Sequence, residues 1–295
     1  MSFFTATTLR PLDHNTLMRK APAIFAEQPK ASTSDRYLFI PTIKLIDGLA
    51  ANGWSVVSAV QQGNAGSTKD AALSNKHALF LARNEILGSQ FNAGDTLPLL
   101  KLENSHNGLS SFHMATGFFR KACANGLTVP DSVFAAPKVR HTVNMKDEVI
   151  EASYKVLRDF PHLVEMQKTL STIQLDQSEK ALLADTASEL FFTKEEIELN
   201  RWKAKKTGND RYLLDSQIVT PRRWQDKKDD LWTVSNVIQE NIIRGNCQVS
   251  NAQGDVRSKR KVTSIDRDSE IHDKLFTLTK KFAELKGHNT LYAIA

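Results

Sequence analysis

Cysteine is nearly absent: Cys123 and Cys247 are the two thiols in 295 residues. Two thiols so far apart in sequence build neither a disulfide scaffold nor a cysteine metal site, so a reducing, cytoplasmic setting is expected. Long apolar runs are also missing. None approaches the ~18 residues that a membrane helix needs, so no membrane partner is expected. The opening stretch MSFFTATTLRPLDH lacks a basic start leading into an apolar core, and no secretory signal is expected from it. Catalytic signatures are equally thin. Residues 63–67 (GNAGS) lack the Gly-Lys-Ser/Thr ending of a phosphate loop and read as a flexible loop. Ser110 and Ser111 have no Gly-x-Ser-x-Gly context. Glu103, His106, His113 and His141 gather near one turn, but no two share the spacing of a metal-protease helix. A metal site would need three of them to converge with an open position left over. Cys123 falls on the apolar side of an expected helix, as an inert core thiol does. No enzymatic activity, no cofactor, no internal repeat and no low-complexity block is expected.

What remains is an ordinary globular composition, 41% apolar and 24% charged, with a net charge of +6. The charge is uneven. Residues 1–150 hold 15 Lys and Arg against 11 Asp and Glu; residues 151–200 hold 5 against 10; residues 201–295 hold 19 against 12. A basic excess concentrated in one region is the footprint of a polyanion binder, and equally the signature of a chain kept soluble by its charge.

The chain is organised around residues 97–127, LPLLKLENSHNGLSSFHMATGFFRKACANGL. Residues 97–103 form an apolar run of strand length with proline near its start, where a missing N–H does least harm. Asn107-Gly108 is a strong hairpin signal because both residues tolerate positive φ. A return strand over 109–116 places Phe112 and Met114 on one face and His113 on the other. From Gly117 the period shifts towards a helix through Phe119, Ala122 and Cys123, closed by Asn125-Gly126. Upstream, residues 1–35 read as a loose arm and 37–40 as a short strand. Residues 42–51 read as a helix closed by Asn52-Gly53, with strands following at 54–60 and 77–83. Downstream, residues 139–143 read as a short strand and 147–160 as an amphipathic helix ended or kinked by Pro161. Helices follow at 180–192, capped by Ser178, then at 231–244, closed by Gly245, and from 271 to 282. Short connections between successive strands favour an antiparallel sheet.

Two stretches carry the basic charge. Arg222, Arg223, Lys227 and Lys228 surround Trp224 and Trp232, and Arg201, Lys203, Lys205 and Lys206 surround Trp202. Such interleaving either neutralises phosphates and stacks bases or anchors tryptophans in a core. Arg257, Lys259, Arg260 and Lys261 then place four cations within five residues. On the expected helix 231–244, Asn236, Gln239 and Glu240 form a polar cluster suited to internal hydrogen bonding or to a site.

The stretches NSHNGLSSFHMATGFFRKACANGL and DLWTVSNVIQENIIRG resemble the phage- and plasmid-borne family catalogued as domain of unknown function nine-three-two. The Ile-Pro-Thr, helix and Asn-Gly-Trp unit, the KHALFLAR strand and the RSKRKVTSIDRD run fit it in the same order, over roughly residues 36–285. That resemblance implies a mobile-element origin and no established catalytic residues. A more distant resemblance links the helix ending in Asn-Gly-Trp, the antiparallel sheet and the hairpin feeding a helix to single-strand annealing proteins of the Rad fifty-two type. It implies a ring or filament whose sheet cations hold single-stranded DNA by its backbone. Trp54 matches the tryptophan after Asn-Gly, and Arg83, Lys101, Arg120 and Lys121 fall in the groove by their place in the elements.

The expected architecture is therefore α+β: a helix, a four-stranded antiparallel sheet and a helix, with helices packed on one face. The expected division is an arm over 1–35, a core domain over 36–146 and a mainly helical region with basic segments over 147–295. The expected function is single-strand DNA binding that promotes annealing, through Arg83, Lys101, Arg120, Lys121, Arg222, Arg223, Lys227, Arg257, Lys259, Arg260 and Lys261. The expected partners are single-stranded DNA, further copies of the chain, and a host single-strand-binding or defence protein. The alternative is a non-enzymatic interaction protein that modulates a host defence or replication complex through its acidic segment, residues 151–200.

Overall fold

A computed structural model describes residues 9–34, 37–63, 69–89, 96–108, 110, 112–120, 125–128 and 145–288. The chain divides into two units, Met1–Phe160 and Pro161–Ala295. The division falls inside the long helix α4 (Met145–Thr172), which does not end at Pro161.

The first unit is α+β. α1 (His14–Lys20) and a 3₁₀ turn (Pro22–Phe25) precede α2 (Thr42–Ala51) and β1 (Trp54–Gln61). A short α3 (Lys69–Ser74) leads to β2 (His77–Arg83), β3 (Thr96–Asn104), β4 (His113–Arg120) and β5 (Asn125–Thr128). The strands pair in chain order, each antiparallel to the next. β2 reads HALFLAR and buries its first six residues in succession, because it lies inside the sheet with both faces covered. On one face Trp54, Leu79, Leu81, Leu100, Leu102, Phe112 and Met114 pack with Leu45 and Leu49 of α2 and Val149 and Val156 of α4. On the other face Phe80, Ala82, Leu97 and Leu99 pack with Leu9, Ile86 and Leu87. The long helices thus cover one face, as expected.

Four expectations change. Gly117–Arg120 continues β4 and is not helical, because Phe118 and Phe119 take ladder partners in β3 and β5. The hairpin is not a two-residue turn: β3 ends at Asn104 and β4 begins at His113, with Glu103 opposite His113. Asn107-Gly108 lies within that longer connection, Gly108 at φ +75°. The described part of the arm, 9–34, is not loose, since Leu17, Ala21 and Ile24 belong to the core of the unit. Residues 37–40 join no strand ladder. The expected strand at 139–143, the loop at 64–67, Lys121, Cys123 and His141 lie outside the described residues.

The second unit is mainly helical: the remainder of α4, then α5 (Gln177–Phe191), α6 (Lys194–Thr207), α7 (Leu214–Ile218), α8 (Leu231–Arg244) and α9 (Ile265–Leu285). A small hairpin, β6 (Gln248–Ser250) with β7 (Val256–Ser258), joins α8 to α9. α5 is capped by Asp176, not Ser178, in a reciprocal box with Glu179; α6 repeats the device with Thr193 and Glu196. α8 is the central element, buried on every side from Leu231 to Ile243. No described helix is long and apolar enough to cross a membrane.

Candidate nucleic-acid interface

The site begins with the end of α8. Asp230 starts the helix by accepting from Thr233 N at 2.8 Å and Thr233 Oγ1 at 2.9 Å. Gly245 ends it at φ +66°. A β-carbon on Gly245 would lie 2.2 Å from Lys259 O, so the chain at 259–261 presses directly on the helix end. Val262 N donates to Ile243 O at 2.8 Å and Lys259 N to Cys247 O at 2.7 Å, which hold the Arg257–Lys261 run in place. Cys247 itself is buried, and burial pushes its thiol up to about 12.

The run at 222–228 reaches the same helix end. Arg222 Nη2 donates to Asn246 O at 2.7 Å, while Asn241 Nδ2 donates to Ile218 O and Thr220 O. Glu240 is buried and takes two guanidinium groups: Arg223 donates to both its oxygens, and Arg244 Nη1 lies 3.2 Å from Oε1. Arg223 Nε also donates to Asp226 at 2.8 Å. A buried carboxylate demands such partners, and a helix C-terminus draws cations by its dipole. Local forces therefore account for Arg222, Arg223 and Arg244. They do not account for Arg260, Lys261, Lys227 and Lys228, which are exposed; Arg257, also exposed, is attracted to the Glu196 carboxylate. Lys259 binds Glu196 and lies over the Phe192 ring.

The tryptophans separate. Trp232 is buried within α8 at 4% exposure, whereas Trp224 is 76% exposed and Trp202 51% exposed with Lys206 over its ring at 4.6 Å. Within the helix's polar cluster, Asn236 hydrogen-bonds internally to Trp232 O, and Glu240 serves as the arginine hub. Arg244 was missed by sequence reasoning. It lies four residues after Glu240, and that helical spacing was available as a signal.

The cations expected on the sheet sit differently. Lys101 is 2% exposed and meets Glu103 at 2.7 Å; Lys76 meets the same carboxylate at 3.0 Å. Burial opposes ionisation of Glu103, but attraction to Lys101 and Lys76 outweighs it and pulls the carboxyl down to about 2. Lys101 is thus no surface contact for a phosphate, because it stands inside β3 and neutralises a buried carboxylate. Arg83 pairs with Glu85, donates to Asn52 O at 2.6 Å and lies over Trp54 at 5.6 Å, clamping the Asn-Gly-Trp turn. Arg120 ends β4 opposite Thr96 and Asn125.

Glu103, His106 and His113, weighed as a metal site from their closeness in sequence, do not form one set of ligands among the described residues. Glu103 is held by lysines, and among the described residues no three acidic, histidine or cysteine side chains converge for a metal. His106 turns inward instead, to a centre that no spacing in the sequence announced. Thr42 Oγ1 lies 2.9 Å from His77 Nε2 and 3.2 Å from His106 Nε2, and accepts from Asn104 Nδ2 at 2.9 Å. Asn75 O, 3.0 Å from His77 Nδ1, can only accept, so Nδ1 carries the proton of His77. His77 Nε2 then accepts from the Thr42 hydroxyl, whose oxygen is left to accept from His106 Nε2–H. Burial lowers the His77 pKa to about 4. The centre is a proton-ordered joint between α2, β2 and the end of β3, closed to solvent.

A family model described as Domain of unknown function (DUF932) matches residues 29–273. The chain belongs to this family. Two Escherichia coli (strain K12) proteins, UPF0380 protein YafZ and UPF0380 protein YfjQ, are each 34% identical over 275 residues, covering 92% of this chain and 91% of theirs. No solved structure matches. The DUF932 match takes in the sheet, the Thr42–His77–His106 joint, α8 and the basic runs on either side of it.

Proposed function

We propose that the protein binds single-stranded DNA through the basic, tryptophan-bearing end of its C-terminal unit and promotes strand annealing without nucleotide hydrolysis. The observation that carries this is Trp224, which stands in solvent between Arg222-Arg223 and Lys227-Lys228. An open indole among cations suits a base on its face and a phosphate at its edge, in any sequence. Arg257, Arg260 and Lys261 extend the positive surface at the same helix end. Self-assembly into a ring or filament follows from the resemblance to annealing proteins, supported by the α2, Asn-Gly-Trp and antiparallel-sheet order. The strand at Gly117–Arg120, where that resemblance needs a helix, weakens the sheet as the DNA groove.

The test is anisotropy of a labelled oligonucleotide at two salt concentrations. Affinity should fall with a log–log slope of about −0.7 per phosphate neutralised. No binding at low salt, or binding indifferent to salt, defeats the proposal. A second reading, an interaction protein modulating a host defence or replication complex, is favoured by Leu182 and Leu190. Both stand exposed on α5 beside Asp185 and Glu189 in the acidic segment. Capture of one defined partner, lost on replacing both leucines with Ser while DNA affinity is nil, would select it.

A further inference from the structure

We infer that the cleft walled by α5, α7 and the chain leading into α8 seats one nucleotide of a single strand, with preference for a base that carries an exocyclic amino group. The inference rests on the proposed strand binding and assigns it a pocket. The cleft has a volume of about 410 Å³, in the range of small-ligand sites and sufficient for one mononucleotide. Its floor is apolar, made by Ala184 of α5 and Val234 and Val237 of α8, all buried. That floor suits the faces of a flat ring.

The rim is charged. Lys227 and Lys228 line it, exposed, and neither has an ion pair among the described residues. Lys180 also lines it but is held by Asp229 at 2.9 Å. A phosphate is therefore drawn to Lys227 and Lys228. Three carboxylates line the cleft as well, and each repels a phosphate from the interior. Asp229 is occupied by Lys180 and Asp226 by Arg223. Asp215 of α7 has no ion pair among the described residues. A carboxylate accepts from an amino group such as cytosine N4 and finds no donor there on thymine apart from its ring N–H. The nucleotide thus enters base first, with the amino group at Asp215 and the phosphate at the lysine rim.

Trp224 does not line the cleft itself but opens the turn whose last residue, Asp226, does. Its carbonyl accepts from Lys227 N at 3.2 Å in the 3₁₀ turn Trp224–Asp226. A strand with one base in the cleft has its next base beside the open indole. Seating and stacking are then two halves of one single-strand contact, and a duplex, whose bases are already stacked, cannot make it.

The experiment titrates the full chain with deoxycytidine monophosphate and with deoxythymidine monophosphate, followed by calorimetry, beside an oligonucleotide. Deoxycytidine monophosphate should bind, with the thymidine compound roughly tenfold weaker. Ala181→Trp places a ring over the cleft from an exposed helix position and should abolish mononucleotide binding and weaken the oligonucleotide about tenfold. A chain that binds oligonucleotide but neither mononucleotide overturns the pocket and leaves the strand proposal standing. So does a folded Ala181→Trp variant that binds as the parent does. If that variant does not fold, Lys227→Ala with Lys228→Ala replaces it, and unchanged mononucleotide affinity overturns the pocket. Mononucleotide binding without any oligonucleotide binding assigns the cleft to free nucleotides and overturns the strand part.

Discussion

In the first unit Lys101 stands inside a strand against Glu103, which also holds Lys76, and Arg83 is folded over Trp54 onto a main-chain carbonyl. In the second unit Arg257, Arg260, Lys261, Lys227 and Lys228 stand in solvent, as does Trp224. Equal charges thus do unequal work. A strand interior admits a lysine only with its counter-ion, so Lys101 and Arg83 serve the fold. Beside a helix end where Glu240 already holds two arginines, Arg260, Lys261, Lys227 and Lys228 form no ion pair among the described residues. Their charge faces solvent, where the proposed strand would meet it.

The comparison can be broken most forcefully at Lys101. Lys101→Ala strands a buried carboxylate with Lys76 as its remaining lysine and should cost about 3 kcal/mol in chemical denaturation, while the folded fraction keeps its oligonucleotide affinity. A stable variant with weakened DNA binding would reverse the roles assigned to the two units.

A similar magnitude is expected from acid at the buried joint. His77 titrates near its ordinary value when unfolded and at about 4 when folded. The unfolded chain therefore binds the extra proton first. The stability from the neutral imidazole is present above pH ~6.5 and is lost as pH falls towards 4, by up to about 3 kcal/mol. Protonated His77 would confront the Thr42 oxygen with three donors for two lone pairs. Thermal melts of the parent and His77→Gln between pH 7 and 4 should converge on acidification; parallel curves would remove His77 from the account.

Trp224→Ala sharpens the contrast from the other side. It should leave stability within about 0.5 kcal/mol, as exposed positions do, and weaken oligonucleotide binding by about 1–3 kcal/mol. The smallest effect per residue belongs to the cations. Replacing Arg257, Lys259, Arg260 and Lys261 with Ala should flatten the salt slope by about 0.7 for each phosphate contact removed. An unchanged slope in anisotropy takes that run out of the interface.

Much of the fold was legible where local signals were complete. Residues 42–51 and 231–244 carry their stop at Asn-Gly and Gly and form α2 and α8 with those ends. The strand at 77–83 is continuous and apolar and forms β2 unchanged. Failures share one cause, which is that a distant partner outweighed a local preference. Phe119 stands at helical spacing from Ala122 and Cys123, but it and Phe118 gain ladder partners on both sides. Pro161 signals a break, yet α4 runs on through it. His106 sits beside a strong turn signal but is drawn inward by Thr42, 64 residues away. α6 is the exception: its Thr193-x-x-Glu196 box was in plain view and was missed, masked by the dense charge of residues 194–206.

From the sequence alone came the class of the protein, most of its antiparallel strands, the boundaries of α2 and α8 and the two runs where positive charge accumulates. All of these depend on neighbours within a few residues, which set backbone preference and local charge. Only the tertiary structure decided which cations and tryptophans face water, since exposure depends on what distant segments cover. The same alternation of lysine and tryptophan reads alike before folding, and it takes the burial of Lys101 and Trp232 and the openness of Trp224 to tell support from surface.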